Sequence, residues 1–227
     1  MTETPATPST AAAVESVDPD EPQVAYPRTE WDDYEIMPPT TRLSNEKMTM
    51  WAFLGSDCLL FGALISTYLL LRNRQPLSGV ESLRAADLFD IPFTSVSSFV
   101  LLMSSLTMVL AVSSITRREM ERCKLWLLTT AALGSVFIAG QVYEFTSFYR
   151  EGLGFTVSIS SSAFYTLTGF HGVHVSLGIV MLVTLWVLVN RGILGPERAE
   201  TVEIIGLYWH FVDIVWIVIF AVVYLIP

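Results

Sequence analysis

The chain has 227 residues, of which 52 % are hydrophobic and only 15 % are charged, and its mean hydropathy is +0.52. A soluble domain carries about 25 % charged residues, so this composition argues against an ordinary soluble enzyme. The net charge of −9 argues against a nucleic-acid-binding protein, because a phosphate backbone is bound by a basic face.

The amino-terminal segment carries most of this net charge. Residues 1–40 hold nine carboxylates and a single base, Arg28, which gives −8 of the total of −9. The segment is also rich in Pro, Thr and Ala, and it cannot bury enough apolar surface to offset the entropy lost on ordering. The sequence therefore predicts a disordered acidic tail at 1–41, followed by a membrane domain at 42–227. A basic start and an early apolar run are both missing, so we expect the internal segments, and not a signal peptide, to reach the membrane.

Five apolar stretches follow the tail. A bilayer core of about 30 Å needs about 20 apolar residues in a helix, and each stretch meets that length: Met48–Leu71, Pro92–Thr116, Leu125–Phe148, Ser161–Val189 and Val202–Ile226. Charged clusters separate them, including a predicted tight turn at 117–124. The sequence predicts an all-α integral membrane protein, a bundle of five transmembrane helices preceded by the acidic tail.

The basic residues predict how this bundle is oriented. Nine Lys or Arg residues lie on the side of the tail and four lie on the opposite side. Cytoplasmic loops carry the excess of basic residues in membrane proteins. We therefore expect a cytoplasmic N-terminus and a C-terminus outside.

The second span is rich in hydroxyl groups. Among its Ser and Thr side chains are Thr94, Ser95, Ser97, Ser98, Ser104, Ser105, Thr107, Ser113 and Ser114. Small hydroxylated residues let helix backbones approach closely and form hydrogen bonds between helices. Two interpretations follow, ordinary packing within the bundle and a seam for another subunit.

Polar side chains interrupt four of the apolar spans. They are Asp57 in the first span, Gln141 and Glu144 in the third, His171 and His174 in the fourth, and His210 and Asp213 in the fifth. The last three pairs have i,i+3 spacing, so each pair shares one helix face. A carboxylate near the middle of a bilayer costs roughly 2.5–3.5 kcal/mol on insertion scales and is a candidate for a functional site.

Asp57 is the most informative of these residues. It lies about ten residues into its span, or ~15 Å along the helix, and the five spans contain no Lys or Arg. Its carboxyl group is therefore protonated, hydrogen-bonded to a group such as Ser56, or next to water. Two interpretations remain open, a hydrogen-bonded core acid and an acid that handles protons.

The other polar residues have simpler interpretations. Glu144 lies near the end of its helix, where we expect a hydrogen bond to another helix or to the interface. His171, His174, His210 and Asp213 predict a polar cluster between helices. Haem held by His210 and a histidine of the fourth span is an alternative. Di-iron bundles use Glu-x-x-His on two helices, a motif that this chain lacks, so we expect no metal site in it.

Several of these residues lie in longer motifs. They are Gly-Ser-Asp-Cys-Leu-Leu-Phe at 55–61, Gln-Val-Tyr-Glu-Phe at 141–145, Ser-Ala-Phe-Tyr at 162–165, Gly-Phe-His-Gly-Val-His at 169–174 and Tyr-Trp-His-Phe-Val-Asp at 208–213. Together they resemble subunit III of the haem–copper respiratory oxidases, in the five-helix form usual in many bacteria. The resemblance covers about residues 42–227, with all five spans in order.

The resemblance implies an accessory, non-redox subunit of a proton-pumping terminal oxidase in the bacterial inner membrane. Such a subunit packs against subunit I in a complex that also contains subunit II, binds phospholipid, and supports proton uptake and the stability of the catalytic core. It holds no cofactor, since haem and copper lie in the partner subunits. Asp57 corresponds to the buried acid of the first motif. Gln141, Glu144, His171, His174, His210 and Asp213 correspond to polar packing or lipid-site positions, and none is implied to be catalytic.

The electron donor stays open at this point. Many cytochrome c oxidase members carry Glu where this chain has Asp57, and quinol oxidase members often carry Asp. The string at 99–105 looks more like bacterial cytochrome c oxidases. A related branch accompanies nitric oxide reductases. A self-contained proton-coupled transporter using Asp57 and Glu144, and a small haem-bearing anchor, are the alternatives from other classes.

Overall fold

The apolar stretches form long helices in the computed structural model, which describes residues 44–72, 91–152 and 154–225. The helices are α1 (Asn45–Leu71), α2 (Ile91–Thr116), α3 (Met120–Arg150), α4 (Ile159–Asn190) and α5 (Ala199–Phe220). A 3₁₀ turn, Pro196–Arg198, precedes α5, and a π-helical turn, Ala221–Leu225, extends it. The described residues contain no strand. The predicted all-α architecture is confirmed, whereas the predicted tail, residues 1–41, lies outside the described residues.

All five helices are long and apolar enough to cross a membrane, as predicted. They begin before the apolar stretches do, most clearly in α3, which begins at Met120 and not near Leu125. The predicted turn at 117–124 was therefore too long, since the connection is only residues 117–119. A helix satisfies its own backbone hydrogen bonds, so it can continue from an apolar stretch into neighbouring charged residues. Lys124 bonds Glu121 at 2.7 Å on this first turn of α3.

Three helices end in a left-handed residue. Gly152 after α3 has φ +94°, and Gly192 after α4 has φ +69°. Glycine adopts this conformation without steric cost and commonly closes helices in this way. Arg118 after α2 adopts φ +62° without being glycine. Its N–H donates to the carbonyl of Ile115, so this turn satisfies helix-end carbonyls despite the strain.

The first and last helices begin on the same side of the bundle. Lys47 Nζ in the first turn of α1 lies 2.9 Å from a carboxylate oxygen of Glu203 in α5. Ser44, which caps α1, donates to Glu200 in the first turn of α5. We call this the amino-terminal side, and the opposite side the far side.

The fifth helix forms the centre of the packing. It packs against α1, α2 and α4, while α3 bridges α2 and α4. Trp209 of α5 is fully buried, and its indole lies directly against Gly134 of α3 and Gly178 of α4. The indole N–H donates to Ser104 Oγ of α2 at 3.0 Å. Because Gly134 and Gly178 have no side chain, the large indole ring fits at the point where four helices meet.

The hydroxyl groups of α2 contribute to the same packing. Trp216, two turns after Trp209, donates to Ser98 Oγ at 2.8 Å. Thr107 of α2 bonds Thr130 of α3 at 2.8 Å. These contacts support the interpretation that the hydroxyls of the second span pack the bundle together.

Candidate intramembrane polar site

Asp57 lies in the middle of α1, as the thirteenth of 27 residues, with its side chain turned into the bundle. The buried residues of this helix are Asp57, Phe61 and Tyr68, whose spacing of four and seven places them on one face. Asp57 is 7 % exposed, and its Oδ2 accepts no hydrogen bond from the described residues. Ser56, a suggested partner, instead donates to the carbonyl of Phe53 at 2.7 Å. The acid is therefore buried without the local hydroxyl that the sequence offers.

His174 of α4 faces this carboxyl group. Its Nε2 lies 3.8 Å from Asp57 Oδ2, and the two side chains are 13 % and 10 % exposed. Its other ring nitrogen, Nδ1, lies 2.7 Å from the carbonyl oxygen of Phe170. A carbonyl only accepts hydrogen bonds, so Nδ1 carries a proton and Nε2 is the nitrogen that can gain or lose one. The ring of Phe61 packs edge-on against the imidazole at 5.0 Å.

This geometry gives the pair two arrangements with the same total charge. In one, a neutral imidazole faces a protonated carboxyl. In the other, an imidazolium faces a carboxylate. The arrangements differ only in the position of one proton, and at 3.8 Å the two atoms face each other without a hydrogen bond. The pair is therefore suited chemically to holding or transferring a single proton.

His171 lies one turn before His174 but points elsewhere. It is fully buried, and its Nε2 lies 3.3 Å from the carbonyl oxygen of Val212 in α5. The rings of Phe137 and Trp216 pack around it at 5.9 and 4.8 Å. Its Nδ1 has no hydrogen-bond partner among the described residues. The surroundings are those of an aromatic core position.

The two polar residues of α3 make separate contacts. Gln141 Nε2 donates to the carbonyl of Thr168 in α4 at 2.9 Å. Glu144 Oε1 accepts from Thr94 of α2 at 2.7 Å and from Tyr224, after α5, at 3.2 Å. Glu144 thus joins three parts of the bundle near the far side. Tyr224 was not a candidate from the sequence, and Thr94 was named there only as a member of the hydroxyl-rich series.

His210 and Asp213 belong to α5 and lie where this helix packs against α2. His210 Nδ1 lies 2.6 Å from Ser105 Oγ of α2. Asp213 is 3 % exposed, and its buried carboxyl interacts with the Ser105 hydroxyl, although neither carboxylate oxygen makes a hydrogen bond of ideal geometry among the described residues. Ser105 was noted in the sequence only as a member of the hydroxyl-rich series.

The seven predicted residues therefore form several sites and not one. Among the described residues, no hydrogen bond joins any two of His171, His174, His210 and Asp213, and the partners of the three histidines are other groups. The described part of the chain also contains no group of three His, Cys, Asp or Glu side chains placed to hold a metal ion. The Asp57–His174 pair is the best candidate for chemistry, since it brings two titratable groups together in mid-membrane.

Known proteins resemble this chain over most of its length. The chain is 39 % identical over 181 residues to cytochrome c oxidase subunit 3 of Bacillus sp. (strain PS3), covering 80 % of this chain and 86 % of that protein. It is 37 % identical over 180 residues to a probable quinol oxidase subunit 3 of Staphylococcus saprophyticus, covering 79 % and 88 %. A probable quinol oxidase subunit 3 of Staphylococcus aureus is 36 % identical over the same shares.

The family model for cytochrome c oxidase subunit III matches residues 45–226. This range holds all five spans and all seven polar residues described above. The chain belongs to the cytochrome c oxidase subunit III family.

Proposed function

We propose that the chain is an accessory, non-redox subunit of a proton-pumping terminal oxidase of the haem–copper type, in the bacterial inner membrane. The observation that carries the proposal is the family match over residues 45–226, together with relatives named as oxidase subunits. In this proposal haem and copper belong to the partner subunits, and this chain packs against subunit I. The five membrane-spanning helices support a multi-pass placement.

Asp57 is the residue that we propose supports proton uptake by the complex. Its central position in α1 and its 3.8 Å separation from His174 support this role. An acid at this depth is costly and is a candidate for proton handling. The pair would buffer one proton next to subunit I, and no step of oxygen reduction would occur on this chain.

We also propose that the chain binds phospholipid. A groove of about 360 Å³ runs between α3 and α4 on the outside of the bundle, and Ile138, Phe145, Val173 and Val180 are among its apolar lining residues. Gln141 contributes its polar edge. An acyl chain matches such a lining. A Val173→Trp variant would fill the groove, and we expect its complex to retain less phospholipid by mass spectrometry.

The proposed orientation places the N-terminus in the cytoplasm and the C-terminus outside. The bases of the turn after α2 and of the connection after α4 lie on the amino-terminal side, together with Lys47. The excess of bases on this side supports the orientation.

Purification of the complex through a tag on this chain tests the proposed function and identifies the electron donor. We expect subunits I and II to co-purify, and oxygen uptake to be supported by reduced cytochrome c or by quinol. Cytochrome c oxidase is the first candidate, because the Bacillus relative has that name, and quinol oxidase is the alternative favoured by the staphylococcal relatives. A preparation with no oxidase subunit and no oxygen uptake would contradict the proposal.

An absorption spectrum distinguishes the proposed non-redox subunit from the alternative, a haem-bearing anchor. We expect the subunit released from the complex to lack a Soret band and stoichiometric iron or copper. Haem retained by the released chain would instead favour the anchor.

A further inference from the structure

The Asp57–His174 pair has no bond of its own that fixes the distance between its two groups. Their facing atoms are 3.8 Å apart, which is beyond a hydrogen bond. The contact of His174 Nδ1 with the carbonyl of Phe170 orients the imidazole relative to α4 only, because both residues lie in that helix. The first helix, α1, is also the least buried of the five, with 17 % of its most apolar stretch buried against 28–44 % in the others. Other contacts must therefore hold α1 and α4 at this separation.

Tyr208 of α5 contacts both helices of the pair, and its side chain is buried. On α4, its hydroxyl donates to the backbone carbonyl of His174 at 2.9 Å. Its ring lies next to Gly178, one turn later, where an added Cβ would be 3.3 Å from the ring. On α1, its ring stacks with Phe53, with centroids 6.3 Å apart and planes inclined by 26°. Phe53 and Asp57 have i,i+4 spacing, so they are neighbours on one face of α1.

The hydroxyl contact is additional to the hydrogen bonds of the helix. In an α-helix each carbonyl accepts the N–H of the residue four positions later, so the carbonyl of His174 has a partner within α4. A carbonyl oxygen has a second lone pair, and Tyr208 uses it. The phenol thereby attaches α5 to the backbone of the same residue whose imidazole faces Asp57.

Tyr208 acts on the pair through its position and not through a charge, since the phenol of tyrosine is neutral near pH 7. His171 on α4 and Tyr208 on α5 are titratable side chains near enough to interact with the pair. Residues 48–71, 159–190 and 199–225, which form the three helices around the pair, contain no Lys or Arg. The separation of the carboxyl and the imidazole is therefore the variable that governs their shared proton.

We propose that Tyr208 is a positioning residue for the Asp57–His174 pair, holding α1 and α4 at the separation that decides which group carries the shared proton. The attraction between a carboxylate and an imidazolium falls with distance. A wider gap therefore favours the neutral arrangement, with the proton on Asp57. The link to proton uptake rests on the function proposed above, whereas the positioning itself rests on the contacts of Tyr208.

Infrared spectroscopy of the purified complex tests the proposal, because a protonated carboxyl has a C=O stretching band that a carboxylate lacks. The band of Asp57 is identified in each variant by its loss when Asp57→Asn is added. Tyr208→Phe removes the hydroxyl and keeps the ring. At pH 7 and equal amounts of this chain, we expect the Asp57 band to be at least 1.5-fold larger in Tyr208→Phe than in the unaltered complex.

Tyr224→Phe is the matched control. It removes another buried phenol hydroxyl, which donates to Glu144 at 3.2 Å and not to the backbone of His174. A general loosening of the bundle would change the Asp57 band in both variants, whereas a positioning role changes it in Tyr208→Phe alone. An unchanged band in Tyr208→Phe, or an equal increase in Tyr224→Phe, would overturn the proposal.

Phe53→Leu provides a second variant from the side of α1. It removes the stacked ring at a position that is 47 % exposed, where folding tolerates a smaller apolar side chain. We expect the Asp57 band to increase in this variant as well. If Tyr208→Phe does not assemble, an unchanged band in Phe53→Leu contradicts the proposal.

Oxygen consumption of the same variants separates this proposal from the proposed function. A larger Asp57 band in Tyr208→Phe with unchanged oxygen consumption would support the positioning and contradict the role of Asp57 in proton uptake. Slower oxygen consumption with an unchanged band would contradict the positioning and leave the proposed function standing.

Discussion

His174 Nε2 lies 3.8 Å from Asp57 Oδ2, although the two residues are more than one hundred positions apart in the chain and come from the middle parts of α4 and α1. The opposite ring nitrogen of His174 is fixed as a donor by the carbonyl of Phe170. An apolar bundle thereby contains an acid that faces a histidine, so one proton can lie on either group.

Asp57→Asn is expected to assemble normally but to slow turnover. The amide keeps the shape and the hydrogen-bonding capacity of the carboxyl and removes its exchangeable proton. We expect oxygen consumption at matched haem content to fall by about two- to tenfold, which corresponds to about 0.4–1.4 kcal/mol on the activation barrier. The deficit, or the rate of inactivation, should increase at raised pH, where protons are scarce.

Asp57→Leu provides the comparison. It eases membrane insertion by removing a polar group and abolishes the same proton chemistry, so its turnover should resemble that of Asp57→Asn. Identical oxygen consumption against time and pH for the unaltered complex and both variants would leave Asp57 as a packing residue.

Asp57 is also expected to be the preferred site for a hydrophobic carbodiimide in this chain. Carbodiimides attack a protonated carboxyl in an apolar environment, and the first arrangement of the Asp57–His174 pair provides one. Peptide mass spectrometry of the labelled complex should locate the adduct, and Asp57→Asn should abolish it. Modification of Glu144 or Asp213 with Asp57 untouched would contradict this expectation.

Gly178→Ala is expected to destabilise the bundle. A Cβ at this position would lie 2.8 Å from the buried indole of Trp209, so the ring or the helix must move. Overpacking of this kind costs about 1–3 kcal/mol, and we expect an earlier thermal loss of this subunit from the purified complex. Gly62→Ala is the matched control, since its added Cβ meets nothing within 4 Å. Equal thermal stability of the two variants would show that Trp209 is not tightly held.

Arg118→Gly is expected to stabilise the turn between α2 and α3. Arginine at φ +62° carries a left-handed strain that glycine lacks, worth about 1–2 kcal/mol. Arg117→Gly, at a neighbouring position without a positive φ, removes the same charge and should not stabilise. Thermal unfolding of the two variants tests this, and a lower stability for Arg118→Gly would mean that its side chain contributes more than the strain costs.

The acidic tail is expected to face the cytoplasm. Protease added to intact spheroplasts should leave residues 1–41 uncut, and protease added to inverted vesicles should remove them. The physical reason is the excess of bases on that side of the membrane. Cleavage in spheroplasts only would reverse the orientation.

The sequence alone determined the five spans, their order and the residue types inside them. This was possible because backbone groups in lipid must bond within their own helix, so each long apolar stretch has one available structure. The motifs around Asp57 and at 208–213 likewise identified the family without knowledge of the fold. Helix ends were less well determined, as α3 shows, because a helix continues beyond the hydrocarbon.

The tertiary structure decided which polar groups meet. The i,i+3 spacing placed His171 and His174 on one helix face, but three residues of a helix leave an offset of about 60°. That offset turns His171 into the aromatic core beside Trp216 and turns His174 towards Asp57. Such choices depend on how each helix is rotated and how deep it lies, and these are set by non-local packing such as Trp209 against Gly134 and Gly178. A pattern along one helix contains no information on the rotation of its neighbours.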